Sequence, residues 1–139
     1  MFAHLLAASL SLALGADAAI PVVSPYDLDP LPCETQVLAG VNAQRARHGL
    51  RPLVLDRNLL RSARRHTGWM ARSGTLQHTT APVGENIAEG QTTAAEAVND
   101  WMNSPGHRAN ILSGTYSRIG MAAYTSYSGR AFWCTQFLP

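Results

Sequence analysis

Lysine is missing altogether: all eleven basic residues of this 139-residue chain are arginine. Against nine acidic residues they leave a formal charge of +2, too small a surplus for a surface built to track nucleic-acid phosphates. Cysteine is nearly absent as well. Only Cys33 and Cys134 occur, with no C-x-x-C pair, which excludes a zinc site made of thiolates. No H-E-x-x-H, P-loop, G-x-G-x-x-G or G-x-S-x-G elbow is present, so the local signatures of several large enzyme classes are missing. The apolar run in FAHLLAASLSLALG is too short to cross a bilayer, and no transmembrane segment is expected.

What is there is enough for one ordinary domain, with 46% hydrophobic residues. The apolar run leads into Ala16-Asp17-Ala18, a small-x-small pattern of the kind found at signal cleavage sites. Residues 1–18 are therefore expected to be a secretory signal and 19–32 a proline-rich extended lead-in, with the domain at 33–139. Export would make the product secreted or periplasmic. In an oxidising compartment Cys33 and Cys134 could close a loop of roughly 100 residues, worth about 4.7 kcal/mol in the chain-entropy model. The other reading is two buried thiols.

Helical spacing from Glu34 to His48 gathers Val37, Leu38 and Val41 on one face, with Gly49 just beyond as a stop. Asn42 and Arg45 share that face, and polar groups there must be hydrogen-bonded, which makes them structural tethers. Asp56 is placed to cap a helix from Arg57 to about Arg72. Its apolar side collects Leu59, Leu60, Ala63 and Met70, with His66 read as a satisfied core histidine, while Arg57, Arg61, Arg64, Arg65 and Arg72 form a basic arc read as a solvated face. Thr93-Ala-Ala-Glu96 fits a capping box, and Ser104-Pro105-Gly106-His107 fits a second helix start with Ser104 as cap. Beyond Tyr116, two β-forming runs flank Ser126-Tyr-Ser-Gly129, a hairpin signal. Three or four helices, a short extended segment at Pro52–Leu55 and a terminal hairpin make the class α+β.

The chemistry concentrates between Gln77 and Asn110. His78 and Glu85 fall in a stretch punctuated by Pro and Gly, and His107 opens a separate helix. Imidazole is the commonest protein metal ligand, and a carboxylate either joins it or fixes its tautomer. The partial positive charge of a helix start would keep His107 neutral. These three residues are the candidate metal or cleft ligands, a divalent ion such as zinc being the candidate cofactor.

The succession Asn42-x-x-Arg45-x-x-x-Gly49-Leu50-x-Pro52-Leu53, His78, Gly84-Glu85-Asn86-Ile87-Ala88 and Trp101-Met-Asn-Ser-Pro-Gly-His107-Arg-Ala-Asn-Ile-Leu112 resembles the cysteine-rich secretory protein, antigen 5 and pathogenesis-related (CAP) superfamily, in its bacterial SCP-like form. The resemblance implies an α-β-α sandwich with a central antiparallel sheet and a cleft holding a His-Glu-Glu-His tetrad. His78, Glu85 and His107 match three of its members. The second acid does not carry over: three positions past the helix Trp, this chain has Ser104. Asn42, Arg45, Asn86 and Ser104 are assigned structural roles. The expected function is an extracellular, non-enzymatic binding module, acting as a monomer on a lipid, cell-wall polymer or protein and not on nucleic acid. A metal-assisted, peptidase-like hydrolase and a lipid or sterol carrier are the alternatives.

Overall fold

A computed structural model describes residues 29–139; the expected signal and most of the lead-in lie outside the described residues. The elements in order are α1 (Pro32–Arg47), β1 (Val54–Leu55), α2 (Arg57–Ser73), β2 (Gly84–Glu89), α3 (Ala94–Met102), α4 (Pro105–Ile111), β3 (Arg118–Thr125) and β4 (Ala131–Leu138). They form an α+β sandwich: α2 covers one face of a four-stranded sheet, and α1, α3 and α4 cover the other.

Local chemistry sets the helix ends where the sequence places them. The Asp56 carboxylate accepts from the amides of Asn58 and Leu59, and Gly74 closes α2 in the left-handed conformation at φ 65°, which glycine adopts without a Cβ penalty. Thr93 and Glu96 make the capping box that opens α3. Ser104 occupies the cap position of α4, but its hydroxyl makes no cap hydrogen bond; its carbonyl accepts from Arg108 instead.

The sheet order is β1-β3-β4-β2. β3 and β4 form the terminal hairpin, closed by the Ser126 amide donating to Arg130 and the Gly129 amide to Ser126. β2 pairs antiparallel with β4, whereas the two-residue β1 runs parallel to β3, so the sheet is mixed rather than purely antiparallel. β2 itself carries no strand signal in the sequence. Glu85 and Asn86 interrupt the apolar alternation, yet both are buried, because they serve the site.

Alternation along the strands divides the core into two clusters. Trp133, Phe137, Ile119 and Met121 face Val37, Val41, Val98 and Trp101, while Phe132, Cys134, Ala122 and Ile87 face Ala63 and Met70 of α2. Gly120 lets the start of α2 press against β3: a Cβ there would run into the backbone of Leu59 and Leu60.

Two expectations are corrected. Cys33 and Cys134 are free thiols, not a disulfide. Cys33 packs against the α1 cluster and Cys134 sits inside the α2 cluster, on different sides of the division that the sheet imposes. Arg64 does not belong to the solvated arc. It is buried in a two-pronged pair with Glu34, at 2.8 and 2.7 Å, and each side chain is 1% exposed. A guanidinium removed from water needs such a partner, and Glu34 lies thirty positions upstream, beyond the reach of helical spacing.

Candidate functional site

Glu85 sits near the start of the edge strand β2, on its α2 face, with its side chain 4% exposed. Both carboxylate oxygens are engaged. Oε1 accepts from His78 Nδ1 and from the Thr79 amide, each at 2.9 Å. Oε2 accepts from Gln136 Nε2 at 2.9 Å and, more weakly, from the Cys134 thiol at 3.5 Å. His66, from α2, stands 3.9 Å away. Burial works against the ionised form. The donors of Gln136, Thr79 and His78, with the His66 charge nearby, outweigh it and hold Glu85 below the usual glutamate range.

Because Nδ1 of His78 donates to Glu85, the neutral ring keeps its lone pair on Nε2. That nitrogen has no partner among the described residues, and the side chain is 59% exposed. His66 is different: its Nε2 donates to the Gln77 carbonyl at 2.7 Å and its ring stacks on Trp69, so it is a satisfied structural histidine.

His107 enters from the first turn of α4, on the far side of β2. Asn86 Nδ2 donates to its carbonyl at 3.0 Å, while Asn110 Nδ2 donates to the Glu85 carbonyl and to Asn86 Oδ1. This amide network stitches α4 to the edge strand and thereby locates the His107 ring. Burial, and then the nearby His78 charge, push His107 below the usual histidine range. The shift favours the neutral ring at pH 7, and its causes are burial and the His78 charge, where the sequence reading invokes the helix start.

Asn42 exchanges both of its amide groups with the Leu53 backbone, at 3.0 and 2.8 Å. Arg45, 2% exposed, donates to the carbonyls of Arg51, Ile111, Ser113 and Tyr116. It ties α1 to the segment after α4. No nearby acid takes the place of a second glutamate among the described residues: Glu96 is occupied by Thr92 and Thr93, and Asp100 accepts from Gln91. Among the described residues no group of three or more His, Cys, Asp or Glu converges as a metal-ligand set.

Gln136 and Asn110 were not assigned roles from the sequence. Gln136 comes from β4, fifty-one positions from Glu85, and only the register that sets the two opposite one another brings them together. Asn110 lies within the motif that carries the resemblance, three positions after His107, which is the one local signal for it.

The arrangement presents two imidazoles, one of them aimed by a buried carboxylate. As a proton acceptor Glu85 is poorly suited, since protonation would forfeit several charge-assisted hydrogen bonds at once.

Comparison with known proteins identifies the family and the fold. Residues 38–137 match the family model described as the cysteine-rich secretory protein family, CAP. The uncharacterized protein YkwD of Bacillus subtilis is 35% identical over 122 residues, covering 76% of this chain and 46% of that protein. The chain thus spans about half of that relative's length. Among solved structures, an outer surface protein from Borrelia burgdorferi superposes with a TM-score of 0.68 at 18% identity, covering 74% of this chain and 89% of that one. An extracellular protein containing a SCP domain from Bacillus anthracis gives 0.64 at 23% identity, covering 76% and 40%. At these identities the two structures speak to the fold.

Proposed function

The chain belongs to the cysteine-rich secretory protein (CAP) family, and from that premise we propose that it is an extracellular, non-enzymatic binding module whose cleft takes a divalent cation or a polar ligand through His78 and His107. The observation that carries this reading is the His78–Glu85 hydrogen bond at 2.9 Å. Metal-binding histidines characteristically donate their second ring N–H to a carboxylate, which fixes the tautomer and makes the free nitrogen more basic. His78 has this arrangement, and His107 presents a second imidazole whose pKa is lowered by burial and by the His78 charge. A zinc-like ion would be held by the two imidazoles, with water or a ligand group completing the shell. Glu85 acts here as a positioning residue and not as a ligand, since its oxygens are already engaged. The family's description as secretory supports an extracellular setting.

Calorimetric titration of metal-stripped protein with zinc tests the proposal. One ion should bind, His78→Ala and His107→Ala should each abolish binding, and Glu85→Gln should weaken it by about 10–100-fold. Equal binding by the parent and both histidine variants would overturn it, as would no binding by the parent.

A further inference from the structure

An open groove of about 360 Å³ lies between α2 and the segment leading to β2, lined by Ser62, Arg65, His66, Thr79, Thr80 and Ala81. Its volume is at the lower end of the range for small-ligand sites, roughly 300–1,000 Å³. None of His78, Glu85 and His107 lines it. Ser62, Arg65, His66 and Trp69 follow the i, i+3, i+4, i+7 spacing of one helical face, a stripe about 10 Å long.

Two features of this stripe have no structural use in the fold. Arg65 is exposed and makes no hydrogen bond or ion pair among the described residues, unlike Arg64, which is locked to Glu34, and Arg61, which donates to Asn58. Trp69 is 41% exposed, although the other two tryptophans are buried. Its ring stacks on His66 with centroids 5.8 Å apart and planes 13° from parallel. The bond from His66 to the Gln77 carbonyl pins that stack, so the aromatic surface is held in place before any ligand arrives.

We propose that this groove binds a sugar chain bearing carboxylate groups. The guanidinium fork of Arg65 matches a carboxylate in two-pronged geometry, and one guanidinium suits a monoanion better than a phosphate dianion. The hydroxyls of Ser62, Thr79 and Thr80 supply donors and acceptors for sugar hydroxyls. Next to the groove lining, stacked on His66, the Trp69 ring offers an apolar face to the C–H side of a pyranose that extends beyond the groove. A bare anion would use Arg65 and leave the aromatic stack idle.

The test is calorimetry of the full chain with an oligogalacturonate, beside its neutral methyl ester and inorganic phosphate. Binding is expected for the oligogalacturonate and not for the ester. Arg65→Gln should weaken it tenfold or more and Trp69→Ala several-fold. Arg47→Gln removes the same charge from an exposed site on α1 and should bind like the parent. Circular dichroism melts confirm folding of the variants, whose groove side chains are exposed. The proposal is overturned by no binding, by equal weakening in Arg47→Gln and Arg65→Gln, by full affinity in both groove variants, or by phosphate binding as tightly with no dependence on Trp69. Zinc titration of the same variants separates this outcome from that of the cleft.

Discussion

Gln136 of β4 lies directly opposite Glu85 of β2 and donates Nε2 to its buried Oε2 at 2.9 Å. That amide is the largest of the donor contributions holding the Glu85 carboxylate ionised. It makes the setting of Glu85 depend on the register of the sheet.

Replacing Gln136 with Leu removes this donor while keeping an apolar filler. Loss of a hydrogen bond to a charged group costs about 1.5–3 kcal/mol, and the Glu85 pKa should rise toward and beyond its ordinary value. Urea unfolding measures the first, and the pH dependence of stability the second. An unchanged acid limb would refute the role given to Gln136.

Acid should destabilise the parent protein through His107 and through carboxylates, Asp56 and Glu96 as well as Glu85. Glu85 has a depressed folded pKa, so its contribution is complete above the ordinary glutamate value of about 4.3 and is lost as pH falls through the folded value below that. His107 is also depressed. Below the ordinary histidine value of about 6.5 the unfolded chain takes up a proton that the folded chain refuses, so stability falls with pH until the folded value is reached. Unfolding free energy should therefore drop in two stages, below about pH 6.5 and below about pH 4.3. His107→Asn should remove the upper stage alone.

The Glu34–Arg64 pair has both charges away from water. Arg64→Met leaves a buried carboxylate without its counter-charge and is expected to cost about 3–5 kcal/mol. The double variant Glu34→Leu/Arg64→Met removes both charges and should recover most of the loss. Denaturant midpoints for the single and double variants decide the matter.

The cysteines should titrate as thiols. Burial, with the Glu85 charge, pushes the Cys134 thiol well above its ordinary value, and burial raises the half-buried Cys33 as well. Thiolate is the reactive form, so both should label slowly in the native protein, Cys134 only on unfolding. Two free thiols per chain in denaturant is the expected count; none would restore the disulfide.

Helix boundaries, the terminal hairpin and the cleft residues His78, Glu85 and His107 are written in short-range chemistry. Caps act within three or four positions, as at Asp56 and Thr93, and periodicity shows which side of a helix is apolar. The α+β class and the family resemblance follow from such local patterns and their order along the chain. Other features depend on contacts between distant segments. β2 is a strand because β4 pairs with it, despite the two polar residues that break its pattern. Arg64 is buried because Glu34 meets it, and a helical wheel cannot separate it from Arg61 or Arg65. The free state of Cys33 and Cys134 follows from their packing in different clusters. Tertiary packing also gives Glu85 its role as an aiming carboxylate: the donors that occupy its oxygens come from the loop before β2 and from β4, and residues so far apart in the chain meet only once the sheet has closed.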